Sequence, residues 1–227
     1  MCYSILVRQN LKNLERDLGA SLLRSQFEHY ERMTIVDPKR FKPMSSHPRI
    51  YPNYFAPILT THQKKRWIIP MRYRVRPSGS KDEIPTNYNV FNARLDAITT
   101  RRTWSNLVCR QHGVVVMDEF YEWVESADGG RKKVLGFFPA TKVPMFTPVL
   151  WDWWESEDKS KSFFSFAVIT GEPPKTILAA GHDRCPIFLD PADMDWWLQP
   201  GDTPVNQLIE RLAQSQTYDW TFKEAHP

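Results

Sequence analysis

Residues 114–124 read Val114-Val-Val-Met-Asp-Glu-Phe-Tyr-Glu-Trp-Val124, a run of β-branched and aromatic side chains without glycine or proline. Such side chains suit a pleated, partly buried surface, so the run predicts a strand. The same richness recurs at 67–75, 134–138, 146–151 and 163–170. The polar segments 125–133 and 155–162 then read as hairpin loops between successive strands. Helical spacing is confined to the flanks. From Asn10 to Arg32, the positions Leu11, Leu14, Leu18, Leu22 and Phe27 predict one helix interrupted near Gly19, or two. Short helices are expected at 173–180, 191–198 and 204–213, the last with Thr203 as its cap and Pro204 at its first position. The proline-rich stretch 37–57, with Tyr51-Pro-Asn-Tyr-Phe-Ala-Pro57 at its end, reads as an extended loop. Helices that do not alternate with strands argue against a doubly wound parallel sheet. The expected fold is therefore α+β, a largely antiparallel, barrel-like sheet with flanking helices. One domain is expected over 1–227, its core at about 2–189 and its C-terminal helices and strand at 190–227.

The 227 residues include 9 Trp, 13 Phe and 8 Tyr, ample material for a core, while a mean hydropathy of −0.50 belongs to a water-soluble chain. No apolar run reaches the ~18 residues of a membrane span, and no basic-then-apolar leader opens the chain. The expectation is a cytoplasmic monomer without membrane association, near the nucleoid in a bacterial host. Cys2, Cys109 and Cys185 are too scattered for a disulfide framework. Cys109 and His112 form an isolated CxxH pair, so no metal or organic cofactor is expected.

Net charge is only +4, but it is unevenly spread: residues 38–81 contain no Asp or Glu. There Arg49, Arg66, Arg72, Arg74 and other cations interleave with Tyr51, Tyr54 and Trp67. Cations for phosphates and flat rings for unstacked bases are what a single-stranded nucleic-acid groove needs. A solvated basic face is the plainer alternative.

Cys2 follows the initiator methionine. If Met1 is lost, Cys2 carries an amine and a thiol on adjacent carbons. An α-amine titrates near 7.7–8.0, so part of it is neutral and nucleophilic at physiological pH. It can capture an aldehyde as an imine, and the thiol can close on the imine carbon to a five-membered thiazolidine. Alternatively, Cys2 simply begins a buried strand.

Three internal motifs add to this terminus: Phe91-Asn-Ala-Arg94, Phe120-Tyr-Glu-Trp123 and Gly181-His-Asp-Arg-Cys-Pro186. Glu122 sits among bulky aromatic neighbours, an apolar setting suited to proton transfer. His182 has the one side-chain type that titrates near neutrality. Asn92 offers a donor and an acceptor. Each has a structural alternative: a surface carboxylate, a satisfied histidine, a turn former.

With Met1-Cys2 in front of them, these motifs resemble the SOS response-associated peptidase family, from Cys2 to about Leu189. The resemblance implies self-removal of Met1 and a covalent thiazolidine between Cys2 and the ring-opened aldehyde of an abasic site in single-stranded DNA. It implies Glu122 and His182 as acid/base residues and Asn92 as an orienting amide. Arg94 and Arg184 would clamp phosphates, and Trp67 and Pro57 would wedge between bases. Most members continue Cys-Gly-Arg, whereas this chain has Cys2-Tyr3-Ser4; Arg72, Arg74 and Arg76 are the cations expected to compensate. Without the resemblance, an amidohydrolase with an N-terminal nucleophile and a noncatalytic strand-binding module fit the same residues.

Overall fold

A computed structural model describes residues 3–44, 48–125, 132–214 and 217–226. The chain opens with β1 (Ser4–Val7) and α1 (Leu11–Leu18). Asn10 caps that helix by accepting the Asn13 N–H at 3.1 Å, and Gly19, at φ 56°, ends it in a left-handed turn that glycine adopts without steric cost. The helical spacing read from the N-terminal segment therefore resolves into two helices. A two-residue strand, β2 (Ser21–Leu22), separates α1 from α2 (Arg24–Val36). Next come β3 (Arg49–Ile50), β4 (Phe55–His62), β5 (Lys65–Tyr73) and β6 (Asn92–Arg94). After α3 (Arg102–Ser105) follow β7 (His112–Val124), β8 (Lys133–Pro139), β9 (Met145–Glu155) and β10 (Ser162–Gly171). The chain finishes with α4 (Lys175–Ala179), β11 (Cys185–Pro186), α5 (Met194–Leu198), α6 (Val205–Ala213) and β12 (Trp220–Ala225).

Two local expectations are corrected. The segment 37–57 is not loop to its end, because β4 begins at Phe55 and carries Pro57 opposite Pro70 of β5. Proline has no N–H to give a ladder, yet here the prolines face one another, so the missing donors coincide at one register position. Thr203 does not cap α6: its hydroxyl bonds to the Pro200 carbonyl, and Pro204 occupies the cap without a side-chain bond.

Five strands close a barrel. β7 pairs with β9, β9 with β10, β10 with β5 in parallel, β5 with β4, and β4 returns to β7 through Leu59↔Val114 and Thr60↔Gly113. Alternation decides which residues face which layer. Ile58, Ile69, Val115, Met117, Val149 and Val168 share one core. Their strand neighbours Leu59, Ile68, Val114, Val116, Leu150 and Ile169 pack in a second core with Leu14 and Leu18 of α1, Trp197 of α5 and Leu212 of α6. Both faces of the barrel wall are thus apolar, which explains why 114–117 is a continuous hydrophobic run. The described C-terminal elements α5, α6 and β12 are part of this packing, and Trp220 of β12 meets Phe120 edge-on at 5.6 Å.

β7 outlasts the barrel. Beyond Met117 its partners become β1, through Ile5↔Phe120 and Ser4↔Tyr121, and β8, through Glu122↔Leu135. The hairpin between β7 and β8 is as expected from sequence, although 126–131 lie outside the described residues.

At the closure, a Cβ on Gly113 would lie 2.9 Å from Ile58 Cγ2 and 3.0 Å from the Leu59 carbonyl oxygen. Gly113→Ala is expected to cost about 1–3 kcal/mol through overpacking. Calorimetry should show this as a Tm loss of roughly 2–4 °C per kcal/mol, with the barrel's far-UV spectrum retained.

Candidate active site

The second half of β7 carries Glu122 with its side chain 1% exposed. A carboxylate so buried demands a polar partner, and His182 supplies one: its Nε2 lies 3.1 Å from Glu122 Oε2. The turn that brings His182 here starts at Gly181, whose φ of 96° suits glycine and whose backbone passes beside Val124. His182 Nδ1 meets the Arg184 carbonyl at 2.9 Å and the Arg184 amide N–H at 3.3 Å. One neighbour accepts and the other donates, so Nδ1 finds a partner in either tautomer. Nε2 can therefore give or take a proton toward Glu122 without a change at the Nδ1 contacts. Two motifs sixty residues apart in sequence meet as one carboxylate–imidazole pair.

β10 gathers the other motifs. It pairs with β6 through Val168↔Asn92 and Thr170↔Arg94, and with β11 through Gly171↔Cys185. Asn92 is buried, its backbone N–H donating to Asn89 Oδ1 at 3.0 Å. Arg94 and Arg184 converge on Asp96, with Arg94 Nη2 at 2.5 Å and Arg184 Nη2 at 3.5 Å from Oδ2. Arg94's hydrogen bonds hold the Asp96 carboxyl below its ordinary range. Burial, with the Glu122 charge added, pushes the Cys185 thiol well up, so this neighbour of the pair stays protonated. Cys2 lies outside the described residues. The chain enters them at Tyr3, whose N–H donates to the Tyr121 carbonyl at 3.2 Å, one residue before Glu122.

Other expected contacts are placed elsewhere. Arg72 and Arg74 are buried, and with Arg76 they surround Glu83: Arg72 Nη1 to Oε1 is 2.8 Å and Arg76 Nη1 to Oε1 is 3.3 Å. Arg74 also donates to the Ile84 and Pro85 carbonyls. These guanidinium groups are consumed inside the molecule and do not face a phosphate. Pro57 lies buried within β4 and is no surface wedge. Trp67 is half-buried at the barrel end marked by Thr60↔Gly113, and Glu122 is nine residues further along β7, ~30 Å at ~3.3 Å per residue.

Tyr3 and Trp123 were not read in the sequence as exposed rings beside the pair. Tyr3 and Trp123 are 41% and 37% exposed, with ring centroids 6.4 Å apart, and Tyr3 meets Tyr51 edge-on at 5.7 Å. Arg49 lies beneath them, its guanidinium 3.9 Å from the Tyr121 ring and its Nε donating to Ser4 Oγ at 3.0 Å. The available signal was positional: Trp123 directly follows Glu122, and Tyr3 directly follows Cys2.

Burial disfavours ionised Glu83, but the hydrogen bond from Arg72 and the charges of Arg72, Arg76 and Arg74 outweigh it and hold the carboxyl below its ordinary 4.5. A depressed folded value means that its stabilisation is present above pH 4.5 and fades as pH falls through the folded value. Glu83→Gln, which strands three cations, should cost about 3–5 kcal/mol at pH 7. Urea unfolding across pH 3–7 should show a smaller acid-side loss in this variant than in the parent.

A model of the SOS response associated peptidase family matches residues 1–225. The abasic site processing protein YoqW of Bacillus subtilis (strain 168) is 24% identical over 166 residues, covering 69% of this chain and 66% of that one. The abasic site processing protein HMCES of Xenopus tropicalis is 26% identical over 168 residues, covering 65% of this chain and 50% of that one. The matches thus span about two thirds and one half of these relatives' own lengths. Solved proteins from Bordetella bronchiseptica and Bacteroides thetaiotaomicron share the fold, with TM-scores of 0.72 and 0.74 at 15% and 14% identity. The first match covers all of both chains, and the second covers 99% of this chain and 92% of that one.

Proposed function

Since the chain belongs to the SOS response-associated peptidase family, we propose that it processes abasic sites in single-stranded DNA, with Cys2 as the covalent nucleophile once Met1 is removed. The observation that carries this reading is the Glu122–His182 pair, 3.1 Å apart, beside the strand position where Tyr3 is fixed. Cys2 is the residue that directly precedes Tyr3 in the sequence.

The chemistry follows from the groups at hand. Hydrolysis of the Met1–Cys2 bond consumes one water and frees the α-amine. That amine adds to the aldehyde carbon of the ring-opened abasic sugar, and the carbinolamine loses one water to give an imine. The Cys2 sulfur then bonds to the imine carbon, and its proton ends on the ring nitrogen, closing the thiazolidine. Each step moves a proton at the amine or at the departing oxygen. Glu122 and His182 serve as the relay, because His182 can change tautomer without losing its Nδ1 partner. Asn92 orients the amine or the sugar. Arg94 and Arg184 exchange Asp96 for the flanking phosphates, a bidentate exchange that guanidinium groups suit. Tyr3 and Trp123 offer their exposed faces to unstacked bases.

Incubation of the purified chain with an abasic single-stranded oligonucleotide should give a product stable on a denaturing gel. Intact mass should show a processed chain lacking Met1, and Cys2→Ala should abolish the product. No adduct from fully processed protein would overturn the proposal. Glu122→Gln should slow adduct formation by about 100-fold or more.

Trp123→Ala should weaken noncovalent binding of an uncleavable abasic analogue by about 1–3 kcal/mol, read by fluorescence anisotropy at fixed salt. An affinity equal to that of the parent would remove Trp123 from the DNA surface.

A further inference from the structure

Behind Arg184 lies a cavity of about 280 Å³ between the end of β10 and helix α6. Its walls are aliphatic, from Leu95, Ile187, Ile209 and Leu212, and its polar lining includes Arg184 and Glu172. We propose that this cavity receives one nucleobase of the bound strand, adjacent to the lesion, and favours a base that bears an exocyclic amine. The inference rests on the reading of the neighbouring site as one that holds abasic single-stranded DNA.

Size, chemistry and position each bear on it. The volume falls below the ~300–1,000 Å³ of ordinary drug-sized sites, so a single ring system suits it better than a whole nucleotide. Glu172 and Asp96 are among the residues that line the cavity, and their charge disfavours a phosphate inside it, which leaves the neutral base as the part of a DNA strand that fits, with its phosphate outside at Arg184. Carboxylates accept from exocyclic amines, and guanidinium groups donate to ring nitrogens and carbonyls. Thymine has no exocyclic amine, whereas cytosine presents both an amine and acceptors. Thr170 also lines the cavity, 1% exposed, and its hydroxyl has no hydrogen-bond partner among the described residues. A buried hydroxyl without a partner in the protein calls for one from water or a ligand.

Position ties the cavity to the reaction. The Arg184 backbone holds His182 Nδ1, while the Arg184 side chain walls the cavity and reaches Asp96. A base entering here brings its phosphate to Arg184 and displaces the Asp96 contact. Occupancy would then free the clamp next to the acid/base pair.

The test uses the full chain and single-stranded oligonucleotides carrying a tetrahydrofuran abasic analogue, which cannot cross-link, with cytosine or thymine at each flanking position. The parent should prefer cytosine over thymine at one flank by about fivefold or more. Glu172→Gln, at an exposed position, should reduce that preference, and Ala213→Trp, which projects a ring into the cavity from the exposed side of α6, should erase it. Cross-linking of the parent to true abasic DNA is measured alongside. A normal cross-link with no base preference at either flank, or a preference that survives Ala213→Trp, overturns the cavity assignment alone. Failure of the parent to bind or cross-link abasic DNA overturns both proposals.

Discussion

Everything in this molecule hangs on the hydrogen bonding of one strand, β7, which serves two sheets in succession. Its first half, beginning at His112, is clamped between β4 and β9 and closes the barrel. Its second half is clamped between β1 and β8 and carries Glu122 out beyond the barrel wall. The half within the barrel fixes the direction of the half that leaves it. A buried carboxylate can then be aimed at His182 without loops having to hold it, because strand ladders on both edges restrain the backbone. The register shift between Leu6 and Val7 lies where β1 follows β7 past Met117. Such irregularities bend a strand, and here the bend falls where β7 leaves the barrel.

Among the described residues, two carboxylates bridge arginines, and their surroundings separate their roles. Glu83 sits among Arg72, Arg74 and Arg76, all nearly inaccessible, with the Arg76 guanidinium over the Trp154 ring at 3.4 Å. Three buried guanidinium charges would be left uncompensated without it, so this cluster staples 77–85 to the sheet. Asp96 bridges Arg94 and Arg184 at the surface, with Asp96 about half exposed. Water screens that contact, and a phosphate can replace the carboxylate at little cost. The same pairing is structural when dry and exchangeable when wet.

How much of this was legible in the sequence follows from the same physics. The strands at 114–124 and 163–170 were readable because β-branched and aromatic runs bounded by polar loops admit few alternatives. β4 was hidden because Pro57 signals a loop, and only its register against Pro70 shows why a strand tolerates it. The acid-free segment 38–81 suggested a cationic groove. Its arginines at 72, 74 and 76 are nonetheless neutralised by Glu83, two residues past the segment's end. Charge counted along a chain does not reveal which charges a fold will pair. The meeting of Glu122 with His182 was likewise invisible to spacing, and only the family motifs singled out both residues.

The departure at Tyr3 and Ser4 acquires a physical sense from its neighbours. Where most family members carry an arginine, Ser4 is fully buried and accepts from the guanidinium of Arg49, delivered from β3. A cation thus still stands at that point of the sheet, but it lies beneath Tyr51 and Tyr121 and makes no surface charge. Tyr3, in place of glycine, adds an exposed ring over the same spot. Under the proposed function, the exchange would remove an electrostatic contact and supply a stacking one. Stacking is far less sensitive to salt than phosphate pairing. Under the proposed function, this edge of the site would rely on apolar contact with bases, while the cations Arg94 and Arg184 would hold phosphates on its other side.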